Sequence, residues 1–237
     1  CPAKVDIVPG VLSRGRMASR SAKGKPVAVI DVGSNSIRLV VFDETKRVPV
    51  PTFNEKVSCG LGRGLDSTGQ LHPEGVAMAL QSLRRFVALT EAMGVVNVEA
   101  VATAAVREAT DGPAFIERVA AECGLKVKTI PGEEEARLSA LGVHSAFPDA
   151  DGFMADLGGA SVELVRMKQG ELQEQVTLPI GPIRLADEKI DSEELINRNF
   201  DTLDWIDKAK GGTFYAVGGA WRAFARVHMN YTKYPLL

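Results

Sequence analysis

Residues 28–43 read AVIDVGSNSIRLVVFD, and residues 153–165 read FMADLGGASVELV. Overlaid at an offset of 125 residues, Asp31 falls on Asp156, Gly33 on Gly158, Ser36 on Ser161 and Leu39 on Leu164. Each copy is an apolar run, an Asp-x-Gly turn and a second apolar run, the pattern of two strands joined as a hairpin. A repeat this long marks duplicated structure rather than a short-period solenoid.

The flanking sequence fills in an α/β pattern. Val48–Ser58 reads as a third strand, and the glycine-rich residues 59–66 as a loop that is neither GxGxxG nor a Walker A motif. Pro73 opens a helix with Val76, Leu80, Leu83 and Val87 on one face, stopped by Gly94. Val98–Thr103 is a strand, Asp111 and Pro113 start a helix ended by Gly124, Leu125–Ile130 alternates like a strand, and Glu133–Val143 reads as a helix. After the second copy come a strand over Leu172–Ile180, a helix over Ser192–Lys208, a strand over Phe214–Val217 and a last helix over Ala220–Met229. The duplication predicts two similar lobes, 27–147 and 148–237, joined at the connector 147–152.

Composition narrows the class. Of 237 residues, 45% are hydrophobic, which excludes a disordered chain, and no apolar run reaches the roughly 18 residues of a membrane span. The 3 scattered cysteines make no disulfide framework and point to a reducing, cytoplasmic setting. With 28 basic against 30 acidic residues, nothing calls for nucleic acid as a partner. The charge is uneven, however. Residues 1–26 hold six basic residues and one acidic, a net +5, which leaves 22 basic and 29 acidic, a net −7, for the rest. That first segment reads as a disordered basic arm.

Three features can carry chemistry. The paired turns offer small residues that let backbone N–H groups approach a phosphate, and each leading aspartate can hold Mg²⁺. Pro131-Gly132-Glu133-Glu134-Glu135 puts three carboxylates in the first turn of a helix. They can be dipole-stabilising caps, or one can orient or deprotonate a water, and the residues alone do not choose among the three. Arg107, after the strand 98–103, is equally readable as a phosphate ligand and as a surface residue. His72, His144 and His228 follow no metal spacing.

With these stretches in view, the chain resembles the exopolyphosphatase / guanosine pentaphosphate phosphohydrolase (Ppx/GppA) family. The match rests on residues 28–43, 101–115 (VATAAVREATDGPAF), 130–143 (IPGEEEARLSALGV) and 153–165, supported by 60–71, 178–187 and 216–224. The resemblance implies the actin-like ATPase (ribonuclease H-like, sugar kinase/Hsp70/actin) fold, two lobes around a cleft. It implies Mg²⁺-dependent hydrolysis of the terminal phosphoanhydride of polyphosphate or of the 5′ phosphate of pppGpp. It carries the catalytic glutamate to Glu135, with Glu134 beside it. It assigns phosphate binding to Gly33, Ser34, Asn35, Ser36, Arg107, Gly158, Gly159 and Ser161, and metal binding to Asp31, Asp156 and Glu163. It also implies a cytoplasmic enzyme, often a homodimer, with no membrane or nucleic-acid partner. Three positions depart from the family pattern: Pro131 replaces a serine, Ala160 replaces a glycine, and the late stretch like SDGALREG is not found within 1–237. Two other functions fit the same residues: a noncatalytic polyphosphate- or alarmone-binding protein, and a small-molecule kinase or ATPase of the same fold.

Overall fold

The computed structural model describes residues 25–43, 50–186 and 191–235; the expected basic arm lies almost wholly outside them. Two mixed sheets are present. The first has strands β1 (Val27–Val32), β2 (Ser36–Phe42), β3 (Pro51–Ser58), β4 (Asn97–Ala102) and β5 (Lys128–Thr129), in the order β3-β2-β1-β4-β5. The second has β6 (Gly152–Leu157), β7 (Val162–Lys168), β8 (Glu171–Leu178) and β9 (Thr213–Val217), in the order β8-β7-β6-β9. In each, two antiparallel hairpin steps lead to a central strand that also takes a parallel neighbour, β4 in the first sheet and β9 in the second. β1 and β6 start and end 125 residues apart, so the sequence repeat is a repeat of structure.

Alternation drives the first sheet. On β2, Ile37, Leu39 and Val41 are buried while Ser36, Arg38 and Val40 are partly open. The buried side meets helix α2 (Pro73–Ala92) through Leu80, Leu83 and Phe86, and helix α4 (Gly112–Cys123) through Phe115 and Val119, in one continuous core. Each fully buried side chain of this kind contributes about 1.5–3 kcal/mol. Two helical turns, α1 (Leu65–Thr68) and α3 (Ala104–Glu108), form where loop or coil was expected. β5 is shorter than the alternation suggests, because only Lys128 and Thr129 reach a partner, at Val101 and Ala102.

Helix α5 (Gly132–Ala146) follows the first sheet in the chain but packs on the second. Its buried residues Ala136, Ala140 and Val143 sit against Met154, Val165 and Met167. The alanines are one turn apart, and their small side chains let the helix lie close to β7 and β8. The chain therefore crosses between the sheets before α5, ahead of the connector at 147–152.

A single helix over Ser192–Lys208 does not form. Helix α7 (Ser192–Phe200) is shorter, and a 3₁₀ turn covers Ile206–Ala209. Leu203 and Trp205 are both buried, and residues two apart cannot share one helix face. Helix α8 (Gly219–Tyr231) closes the described chain.

Between β8 and α8, the short helix α6 (Pro182–Leu185) braces the second turn: the N–H of Gly181 donates to Ala160 O at 3.0 Å and that of Ile183 to Gly159 O at 2.8 Å. A Cβ on Gly181 would lie 2.3 Å from the Ala160 carbonyl carbon. Gly181→Ala is expected to cost about 1–3 kcal/mol in urea denaturation. An unchanged midpoint would contradict this packing.

Candidate active site

The two Asp-x-Gly turns adopt one geometry. The N–H of Gly33 donates to Ser36 O at 3.1 Å, and the N–H of Gly158 donates to Ser161 O at 3.0 Å. They face each other: a Cβ on Gly159 would stand 3.2 Å from Asn35 Cβ. The first turn is held from behind by the glycine-rich loop, where Cys59 and Gly60 N–H groups donate to Asn35 O and Gly62 N–H donates to Ser34 O. Gly62 packs tightly there, since a Cβ would lie 3.2 Å from Ser34 Cβ and would require a small shift. Buried Ser34 also accepts from the Ala105 N–H at 3.2 Å.

Between the lobes lies a cleft of about 970 Å³. It gathers Gly33, Ser34, Asn35 and Ser36 from one turn, Gly158, Gly159 and Ser161 from the other, and the carboxylates Asp31, Glu135, Asp156 and Glu163. Ala160 is buried and outside the lining, so its Cβ does not narrow the cleft. Two expected residues are also outside the lining. Glu134 points to the surface, paired with Arg137 at 2.7 Å, because consecutive helix positions diverge by about 100°. Arg107 stands behind Glu135, its Nη1 donating to Glu135 Oε2 at 3.1 Å and to Ile130 O at 3.0 Å.

Glu135 is thus anchored, with the Thr103 hydroxyl as a further partner. Loss of water around it pushes its carboxyl up, and Arg107 opposes that shift. On the same helix face one turn later, Ser139 donates to Asp156 Oδ2 at 2.6 Å. The Asp156 carboxyl is also raised, by burial.

The sheet register sets a contrast between the lobes. Asp31 pairs across β1 and β2 with Arg38, whereas Asp156 pairs across β6 and β7 with Glu163. Glu163 is 1% exposed and accepts from the Ser161 hydroxyl at 2.8 Å. Burial, with Glu135 and Asp156 nearby, pushes it up to about 8. Asp31 keeps contact with solvent, yet the cleft walls displace much of its water, and with Glu135 and Asp156 they raise it to about 6 against the pull of Arg38 and Lys56. Asp31, Asp156 and Glu163 are the side chains that could hold a divalent cation. Among the described residues no three acid, histidine or cysteine groups converge into a ligand set. One or two of these carboxylates, with water and phosphate oxygens in the other positions, would suit a hard divalent cation.

Sequence reading missed Arg38, Lys56, Thr103, Ser139, Gly218 and Arg222. Ser139 was findable as the residue four after Glu135, and Arg38 as the residue two after Ser36 on a strand. Gly218, at φ +104°, lets β9 turn into α8 where a Cβ would lie 2.9 Å from Asp156 Oδ1.

Comparison with known proteins now decides the relationship. Residues 39–236 match the Ppx/GppA phosphatase family. The chain belongs to that family. It is 30% identical to exopolyphosphatase 1 of Mycobacterium tuberculosis over 185 residues, 76% of this chain and 54% of that protein. The same identity holds for exopolyphosphatase 1 of Mycobacterium leprae, of which 55% is covered. The chain therefore spans about half the length of these curated relatives. Among solved structures, a Ppx/GppA family member from Aquifex aeolicus is similar with a TM-score of 0.69 at 30% identity, covering 90% of this chain and 72% of that one. An exopolyphosphatase from Cytophaga hutchinsonii gives 0.77 at 27% identity, with 90% and 73% covered. An inorganic polyphosphate/ATP-glucomannokinase from Arthrobacter, at 14% identity and a TM-score of 0.51 over 85% and 87% of the two chains, shares the fold. The fold of this Ppx/GppA member is that of the actin-like ATPases. No helix among the described residues is long and apolar enough to cross a membrane.

The raised carboxylates fix the sign of a pH effect. Their folded values, about 8 for Glu163 and about 6 for Asp31, exceed the ordinary 4.5 and 3.8. Each group's stabilising contribution is complete below the ordinary value and is lost as pH rises through the folded one. Without divalent cations, stability in urea is expected to fall from pH 5 to pH 9, and Glu163→Gln should remove most of the upper part of the fall. A flat or rising profile would contradict the assignment.

Proposed function

We propose that the cleft hydrolyses the terminal phosphoanhydride bond of inorganic polyphosphate and releases orthophosphate. The observation that carries this reading is Glu135: a carboxylate anchored by Arg107, opening into a cleft walled by two phosphate-sized turns. Family membership and the exopolyphosphatase names of the relatives support the substrate.

In this reading the terminal phosphoryl group sits between the Gly33–Ser36 and Gly158–Ser161 turns. Glu135 takes a proton from a water whose oxygen attacks the terminal phosphorus. The bond to the bridging oxygen breaks, its electron pair leaves with the shortened chain, and the proton passes from Glu135 to solvent or to that oxygen. One or two of Asp31, Asp156 and Glu163 would hold Mg²⁺, which when bound would neutralise charge on the phosphoryl oxygens. Arg107 acts through Glu135: it keeps the carboxylate aimed at the cleft and opposes the rise in its pKa that burial causes.

Phosphate release is the test, with Mg²⁺ and polyphosphate, pppGpp, or ATP plus sugars as separate substrates. Polyphosphate should release orthophosphate, and Glu135→Gln should lower the rate by about 10²–10⁴-fold with the fold intact by circular dichroism. No release from polyphosphate alongside sugar phosphate formed from ATP would overturn the reading, as would full activity in Glu135→Gln.

A further inference from the structure

Besides its carboxylates, the cleft lining holds three cations: Arg38 on β2, Lys56 on β3 and Arg222 on α8. Arg38 is engaged within its own sheet, donating from Nε to Asn54 Oδ1 at 2.9 Å and lying across from Asp31. Lys56 and Arg222 are different. Both are exposed, and no hydrogen bond or ion pair involves either among the described residues. They come from opposite lobes. A Cβ on Gly219 would lie 3.6 Å from Lys56 Nζ, so the ammonium reaches across to the start of the helix that carries Arg222.

Lys56 acts on Asp31 through space, but neither cation is in ion-pair contact with an acid among the described residues, so both present open donors to an anion in the cleft they share. The terminal phosphate already has its place between the two turns. An anion at Lys56 and Arg222 would therefore be a further phosphate of the same chain. The lining also lacks any aromatic side chain among the described residues, so the ring surface on which a nucleobase commonly stacks is missing. Trp221, next to Arg222, is committed elsewhere, its indole N–H donating to Ala155 O at 3.1 Å.

We propose that Lys56 and Arg222 form an interlobe clamp on the phosphates behind the terminal one, which makes a linear inorganic chain of three or more phosphates the preferred ligand. The inference rests on the hydrolase reading for the location of the terminal phosphate, and it adds the basis of substrate choice. Lys56 and Arg222 act in binding, and the chemistry stays with Glu135.

Calorimetric titration with Mg²⁺ present tests it, using tripolyphosphate, orthophosphate and GTP as probes on the wild type, Lys56→Gln, Arg222→Gln and the double variant. Both positions are exposed, so the fold should be unaffected, which circular dichroism checks. Each single variant should weaken tripolyphosphate binding by about tenfold, the double variant by more, and orthophosphate binding should change by less than about twofold. Lys56→Arg and Arg222→Lys should retain most of the affinity. Wild-type affinity in the double variant would overturn the clamp, as would equal losses for orthophosphate and tripolyphosphate. GTP binding more than about tenfold tighter than tripolyphosphate would overturn the preference for a linear chain. Phosphate release measured on the same samples separates the two readings. Binding that follows the predicted pattern without orthophosphate release would refute the hydrolase and leave the clamp standing.

Discussion

The site depends on one unfavourable pairing. Asp156 and Glu163 are cross-strand neighbours on β6 and β7, and Glu163 is almost wholly buried. Like charges directly opposite on a sheet destabilise it, and burial makes the cost larger. The equivalent pair in the first lobe, Asp31 and Arg38, has opposite charges and no such cost. Duplication thus produced two hairpins of the same shape with different electrostatics. The second is stable when a proton or a cation sits among its acids, which gives that side of the cleft a standing demand for positive charge.

The rest of the fold brings groups to that spot. α5 leaves the edge of the first sheet, packs on the second, and sets Glu135 and Ser139 one turn apart against Asp31 and Asp156. Arg107 and Thr103, from the end of β4 onward, fix Glu135 from the first lobe. Arg184 ties the lobes together outside the cleft, bonding Asp66 at 2.8 Å and Glu108 at 2.6 Å. The cleft is therefore shared: each lobe supplies one Asp-x-Gly turn, and Glu135 sits on a helix packed on the second sheet while Arg107 and Thr103 of the first hold its carboxylate.

Much of this was legible in the sequence, for physical reasons. Period-two burial and the Asp-x-Gly turns recur 125 residues apart, and a hairpin is a local structure, so β1–β2 and β6–β7 were readable. The family pattern singled out Glu135, although three adjacent glutamates look alike as helix-capping residues. What separates Glu134 from Glu135 is the helix face, and that depends on which sheet α5 packs against. An amphipathic stripe says that a helix is covered without saying by what, so the packing of α5 on the second sheet has no local signal. Lys56 and Arg222 come to one cleft only through the packing of elements far apart in the chain, and neither has a local sequence signal. The break after α7 followed from the burial of Leu203 and Trp205, a tertiary demand that helix propensity does not register.

In the proposed reaction, water activated by Glu135 attacks the terminal phosphorus of a polyphosphate chain. Turnover in ¹⁸O-labelled water, followed by mass spectrometry of the released orthophosphate and the shortened chain, tests it most directly. Attack at the terminal phosphorus should leave a single labelled oxygen in the orthophosphate and none in the chain. Label in the remaining chain, or orthophosphate released without label, would contradict it.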